Sequence, residues 1–417
     1  TKINMFLIYQ LLITLIILFS PIIILIRIFK GKEDILRFKE KFCFFSQKRR
    51  SGRLLWFHGS SVGELMSVLP VLSKYDRENS FDQILVTSST LSSSKILQKY
   101  NFRKVIHQFF PIDHVFLSNF FLNYWKPDSA IFLESEIWPS IYRSIKKRNI
   151  PLILLNARIT KKTFERWMKF KEFSLRVFNQ ISFAYPQNRE TIKYLRKLGV
   201  KGIDYIGNLK FFEDKKIVHK KFDNQIKNKF KKYKICIAAS THAGEEIFAA
   251  QTHILLKKKN KNLITIIIPR HVHRVDEINN ELKKLNLNTT YHSAKEKNLK
   301  DIDIYIVDTF GESKRFYKIA TTVFLGGSLI KKGGQNPLEP ARYGAKILHG
   351  PNIDNFKEVY AFLKSLEVST EIESATQFAN EVTFRKKMKN IKKIQKLGNV
   401  IFRNTLNKLS KKINNET

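Results

Sequence analysis

Glu64 closes the segment Trp56-Phe57-His58-Gly59-Ser60-Ser61-Val62-Gly63-Glu64, an apolar run that passes through small residues into a helical pattern. A loop of that kind exposes backbone N–H groups and one carboxylate at the carboxyl edge of a parallel sheet. If aimed and kept in the right protonation state, Glu64 can act as a general base. The plainer reading is a first-turn acid favoured by the helix dipole. A second segment, Leu133-Glu134-Ser135-Glu136-Ile137-Trp138-Pro139, also follows an apolar run and sets Glu134 and Glu136 two residues apart, beside an aromatic and a helix-starting proline. These acids could be helix decoration, or could join Glu64 at one sheet edge. Lys210, in Gly207-Asn208-Leu209-Lys210, offers a cation for a developing or departing negative charge, with an ordinary surface lysine as the alternative.

The later half repeats the layout with different chemistry. Ala238-Ala239-Ser240-Thr241-His242-Ala243-Gly244-Glu245-Glu246 is again a run, a small-residue loop and a helix start. Ser240 can help hold a phosphate there or simply cap the helix. Pro269 and Arg270 end another run, and a guanidinium at that position suits a two-bond grip on phosphate. His271 and His273 alternate without a third ligand nearby, so no metal is expected. Asp308-Thr309-Phe310-Gly311-Glu312, Phe324-Leu325-Gly326-Gly327-Ser328 and Gly333-Gly334-Gln335-Asn336-Pro337-Leu338-Glu339 complete the set. Gly311, Gly327 and Gly334 allow close backbone approach, while Glu339 just after Pro337 can accept two ribose hydroxyls. Such a loop reads as a nucleotide grip, although paired glycines also make ordinary turns.

The elements that must carry these residues form an α/β rhythm. Apolar runs at Leu54–His58, Ile84–Thr87, Ala130–Leu133 and Leu152–Leu155 alternate with helical stretches, and the alternation restarts at Ile235–Ala239, Leu263–Ile268, Ile304–Val307, Thr322–Leu325 and Ala345–Leu348. The polar, Lys-rich stretch Glu213–Lys234 separates the two sets. Near-continuous apolar strands suit parallel sheets with helices on both faces, and two such units in tandem are expected to hold ligands in a cleft between them. The expected division is an anchor over 1–28, a first Rossmann-like domain over 29–212, a second over 213–384, and a basic helical segment over 385–417. In that last segment Arg385, Lys386, Lys387, Lys389, Lys392, Lys393 and Lys396 leave Ile391, Ile394 and Leu397 on another face. The anchor is the uncharged run Met5–Ile26, long enough as a helix to cross roughly 30 Å of hydrocarbon. Arg27, Lys30 and Lys32 follow it and only Lys2 precedes it, so the positive-inside bias puts the body in the cytoplasm. A shallower or re-entrant anchor and a cleaved signal peptide are the competing readings, the second weakened by the absence of a small-residue cleavage site.

Composition sets the outer bounds. The 417 residues are 43% hydrophobic and 27% charged, enough to bury real cores in two domains and unlike disordered or fibrous chains. Lys and Arg total 75 against 36 Asp and Glu, a formal charge of +39 that fits nucleic acid, anionic lipid or a phosphorylated substrate. Lysine is nevertheless spread along the whole chain beside abundant Asn, Ile and Phe, as a compositional bias would leave it. Cys43 and Cys236, far apart and outside any CxxC pattern, give neither a disulfide framework nor a zinc site.

Taken in order, HGSSVGE, ESEIWPS, NARIT, GNLK, STHAGEE, PRH, DTFGE, FLGGSL and GGQNPLEPA make the chain resemble the 3-deoxy-D-manno-octulosonic acid (Kdo) transferases of lipid A biosynthesis over nearly its whole length. The resemblance implies a membrane-anchored, inverting glycosyltransferase of the GT-B fold at the bacterial inner membrane, with CMP-Kdo as donor, lipid IVA as acceptor, no cofactor, no metal and no nucleic acid. By position it implies that Glu64 is the catalytic base and that Glu134 and Lys210 stabilise the transition state. It further implies that Pro269, Arg270, Phe310, Gly311, Glu312, Asn336, Pro337, Leu338 and Glu339 hold CMP. Ser240, Gly327, Gly334, Gln335 and Glu136 are additional candidates. Gln335 departs from the family's usual His; a neutral amide keeps a hydrogen bond but not a cation. Two other classes stay open on the sequence: a GT-B nucleotide-sugar transferase or epimerase, and a non-catalytic, membrane-tethered binder of anionic polymer.

Overall fold

The computed structural model describes residues 5–213, 228, 230–294, 299–386 and 388–414. The chain divides into two compact units, residues 1–217 with 398–417, and residues 218–397. Most of the Lys-rich stretch that separates the two sets of runs in the sequence lies outside the described residues, as does Lys387, and the Lys389 side chain is likewise not described.

The first unit carries one parallel sheet with strands β1 (Leu54–His58), β2 (Gln83–Ser88), β3 (Val105–Phe109), β4 (Ser129–Leu133), β5 (Leu152–Ala157) and β6 (Phe183–Pro186), in the order β3-β2-β1-β4-β5-β6. Strands β1, β2, β4 and β5 are buried at every position, as expected of strands covered on both faces. Edge strand β3, with His107 and Gln108 in its middle, and the short β6 ending in Pro186 lack that apolar signature and were not legible as runs. The helices are α1 (Met5–Phe29), α2 (Val62–Arg77), α3 (Leu91–Leu97), α4 (Val115–Trp125), α5 (Pro139–Lys147), α6 (Lys161–Met168), α7 (Lys171–Phe178) and α8 (Arg189–Lys197). Trp56, Phe121, Trp125, Phe132 and Tyr142 lie in the middle of the core.

The second unit repeats the plan with β7 (Lys234–Thr241), β8 (Leu263–Pro269), β9 (Thr289–Tyr291), β10 (Ile304–Ile306), β11 (Thr322–Leu325), β12 (Lys346–His349) and β13 (Ser369–Glu371), ordered β13-β12-β11-β7-β8-β10-β9 and parallel. Its helices are α9 (Glu245–Lys257), α10 (Val275–Lys284), α11 (Ser313–Tyr317), α12 (Leu338–Ala341), α13 (Lys357–Ser365), α14 (Ala375–Glu381) and α15 (Met388–Asn414). The final helix does not stand apart: from Gly398 onward it belongs to the first unit, with Phe402 stacked on Phe212 at 4.0 Å and Tyr185 Oη donating to the Lys408 carbonyl at 3.3 Å.

In each sheet the chain reverses its direction of growth once, between β1 and β4 in the first and between β7 and β11 in the second. Crevices at the carboxyl ends of such strand pairs are where open α/β sheets bind ligands.

Candidate active site

Glu64 and Glu134 follow β1 and β4, so they flank the switch point of the first sheet. Ser61 caps α2, its Oγ accepting from the Glu64 N–H at 3.3 Å. Glu64 Oε2 reaches back to accept from the Ser60 N–H at 2.7 Å and the Ser61 N–H at 3.3 Å. This is a capping box, so the helix-start reading of Glu64 holds; it also fixes where the carboxylate points. Burial, with the like charges of Glu136 and Glu134 adding to it, raises the Glu64 carboxyl to about 7 in spite of the bonds from Ser61. A carboxylate poised there is suited to taking a proton near neutral pH.

Glu134 is 6% exposed and sits at φ +50°, a left-handed conformation that costs a non-glycine residue energy. Its Oε1 lies 2.5 Å from Lys210 Nζ. The lysine is therefore not a stray surface cation. Asn156 places it: at φ +52°, this residue ends β5 and accepts the Leu209 N–H on Oδ1 at 3.0 Å, holding the turn Leu209–Phe211 against the sheet.

Glu136 is used differently. Its Oε2 accepts from Ser60 Oγ at 2.5 Å, Trp138 Nε1 at 2.9 Å and the buried His58 ring at 3.1 Å, where Nε2–H must be the donor to a carboxylate. Burial opposes the charge, but the bonds from His58, Ser60 and Trp138 prevail and hold this carboxyl below the ordinary range. Glu136 is thus a fixed anion. Ser60 joins it to the catalytic candidate, giving its N–H to Glu64 and its hydroxyl to Glu136. Sequence reasoning quoted His58, Ser60 and Trp138 within motifs but gave them no role. The signal was a polar trio on either side of an apolar strand pair, visible only once β1 and β4 are known to be neighbours.

In the second unit one pocket gathers Ser240, Pro269, Arg270, Phe310, Gly311, Gln335, Asn336 and Glu339 from the ends of β7 and β8 and the later loops. It also includes Thr309, Ser313 and Tyr317, which sequence reasoning did not single out. Phe310 is 81% exposed, an aromatic face held out of the core. Arg270 is exposed, while Thr309 Oγ1 is buried without a hydrogen-bond partner among the described residues, leaving a polar atom for a ligand. The remaining residues serve the frame. Leu338 is fully buried and its N–H bonds Asn336 Oδ1 at 3.1 Å, Pro337 is buried at the start of α12, and Glu312 pairs with Arg315. Gly327 (φ +65°) gives its N–H to buried Glu245 at 2.7 Å, and Gly334 (φ +74°) closes onto the Gly327 carbonyl at 2.9 Å. These two glycines are needed for their backbone conformation and position the loop carrying Gln335. Ser240, next to last in β7, has φ +55°, the same left-handed backbone that Glu134 adopts just after β4.

A family model described as 3-deoxy-D-manno-octulosonic-acid transferase (kdotransferase) matches residues 36–213. The 3-deoxy-D-manno-octulosonic acid transferase of Rickettsia bellii is 34% identical over 364 residues, covering 87% of this chain and 86% of that relative. The chain belongs to the 3-deoxy-D-manno-octulosonic acid transferase family. As a Kdo transferase it is a glycosyltransferase of lipopolysaccharide biosynthesis. Among solved structures, a glycosyltransferase from Rickettsia africae aligns with TM-score 0.55 at 13% identity over 88% of this chain and all of that one (100%). A UDP-GlcNAc 2-epimerase from Neisseria meningitidis gives the same TM-score, 0.55, at 10% identity over 83% of this chain and 94% of that one. Such likeness speaks to fold alone, and the fold of this Kdo transferase is of the GT-B type.

Proposed function

We propose that this Kdo transferase moves Kdo from CMP-Kdo to lipid IVA with inversion, and that Glu64 is the base. Glu64 takes the proton of the acceptor's primary sugar hydroxyl as that oxygen bonds to the anomeric carbon. The bond from that carbon to the phosphate oxygen breaks, and CMP leaves with its electron pair. Glu134 provides negative charge for the oxocarbenium-like centre, and Lys210, paired to it, keeps that carboxylate aimed. Arg270 offsets the charge on the departing phosphate, Asn336 and Glu339 hold the nucleoside, and Phe310 offers it an aromatic face. This reading assigns charge compensation to protein groups and gives no step to a metal. The body works at the cytoplasmic face of the inner membrane, where α1 keeps it beside its lipid acceptor.

The observation that carries the reading is the Glu64 carboxyl, raised to about 7 and aimed by two backbone N–H groups beside the Glu134–Lys210 pair. The test is Glu64→Gln in detergent solution with CMP-Kdo and lipid IVA. Loss of transfer by ~10²–10⁴-fold with donor affinity retained supports the assignment. Transfer within a few-fold of wild type would remove Glu64 from the chemistry.

A further inference from the structure

Helix α1 is long and apolar enough to cross a bilayer, and its sequence alone reads as a span. Its contacts describe something else. Near its start Tyr9 Oη donates to Asp113 Oδ2 at 2.6 Å, and Gln10 bonds both Ser140 Oγ at 2.7 Å and the Val115 N–H at 3.0 Å. Phe6 lies under the Arg143 guanidinium at 4.5 Å. At the other end Arg27 pairs with Glu33 at 2.8 Å, and Lys41 joins the same carboxylate at 2.6 Å. The Lys41 carbonyl in turn accepts the Ile112 N–H at 3.0 Å, next to Asp113. Both ends of α1 are therefore fastened to the polar body of the first unit.

Between them one side of the helix is partly covered. Gln10, Ile13, Ile17, Ser20, Ile24 and Arg27 recur every three or four residues and are partly or fully covered. On the opposite side Leu11, Leu15, Leu18, Ile22, Leu25 and Phe29 recur at the same spacing and are 50–82% exposed. A helix bonded to hydrophilic protein near each end cannot run through the hydrocarbon without taking that protein with it. Detaching it would leave Asp113 without its tyrosine and Glu33 without its arginine.

We propose that α1 is not a transmembrane span but lies in the plane of one leaflet, with its outer face in the acyl region and its inner face on the first unit, so that both its ends stay on the body's side. The occupant of the exposed face is an anionic bilayer leaflet. Two features beyond apolarity favour it. Phe116 and Phe120 on α4, the helix that begins at the Gln10 contact, are 68% and 51% exposed and extend the apolar surface. Exposed Arg143, Lys146 and Lys147 on α5 and Lys171 on α7 lie on elements that touch α1 and supply cations at headgroup level. In a free amphipathic helix a polar face would meet water; here the body occupies that side.

The proposal is independent of how the catalytic residues work. Its test uses the full chain in native membranes, where buried Cys43 and Cys236 do not compete for thiol reagents. Lys2→Cys, ahead of the helix, and separately Lys147→Cys on the body, are exposed to a membrane-impermeant maleimide in spheroplasts and in inverted vesicles. Both are expected to label in the same preparation. Labelling of the Lys2→Cys variant in the opposite preparation would establish a span and overturn the proposal. In a second arm, a bimane at Leu18→Cys is expected to be quenched several-fold more by nitroxide-bearing lipids than one at Ile17→Cys. Equal quenching would mean lipid on all sides of α1, and would overturn it as well.

Discussion

Glu64 meets two demands at once, capping α2 and remaining protonatable near neutrality, and these give it opposite effects on activity and stability. Its carboxyl is raised from 4.5 to about 7, so the folded state binds a proton more tightly than the unfolded chain does. The stability linked to that proton is fully present below pH 4.5 and is lost as pH rises through about 7, on the order of 3 kcal/mol at most. Glu64→Gln carries no such titration, so its thermal midpoint should exceed that of the wild type at pH 8 and approach it at pH 4, as a melting series would show. Activity runs the other way: a base must be deprotonated, so transfer should climb with pH through about 7. Glu136 adds like charge to that site, and Glu136→Gln should move the acid limb of the pH–rate profile to lower pH. The charged groups facing Glu64 are Glu134, with Lys210 bonded to it, and Glu136, with His58 bonded to it. A profile unmoved by Glu136→Gln, with lowered rate at every pH, would assign Glu136 a purely structural role.

At the level of elements, the site depends on where strands end and on what braces the loops beyond them. The turn carrying Lys210 is held on one side by Asn156 and on the other by α15, where a Cβ on Gly398 would come within 2.4 Å of the Phe211 carbonyl oxygen. Gly398→Ala should therefore push the helix from that turn and cost about 1–3 kcal/mol, measured by denaturant unfolding, with reduced transfer alongside. Much of this architecture was legible: the buried strands β1, β2, β4, β5, β7, β8, β10, β11 and β12 show as apolar runs because both faces of a parallel sheet are covered. Strand β3 was not, since His107 and Gln108 sit in a partly covered edge strand, nor were β9 (Thr-Thr-Tyr) and β13 (Ser-Thr-Glu), which are polar and incompletely covered. Candidate site residues were legible where a motif sat at a strand end, as with Glu64, Glu134 and Arg270. What the sequence could not give was pairing between distant segments. Lys210 becomes a partner of Glu134, and Ser60 a bridge between Glu64 and Glu136, only through the strand order. Leu338 was a nucleotide contact by resemblance, and Gly327 and Gly334 additional candidates; the structure shows the contacts by which they frame the loop.

For the whole molecule, the formal charge of +39 and the long apolar helix of the first unit fit the anionic leaflet proposed for it. Binding to vesicles containing anionic lipid should weaken as salt rises from low to physiological strength, while removal of residues 5–29 should abolish most of it at any salt. Salt-insensitive binding that survives the deletion would place the membrane contact elsewhere. The central claim, that this chain transfers Kdo from CMP-Kdo to lipid IVA through Glu64, is tested most directly by mass analysis of the acceptor after incubation with both substrates, wild type beside Glu64→Gln. Wild-type protein should yield acceptor heavier by one or more Kdo units, with release of CMP, and the variant neither. A folded wild-type protein that leaves lipid IVA unchanged and releases no CMP, or a variant that still transfers at the wild-type rate, would contradict that claim.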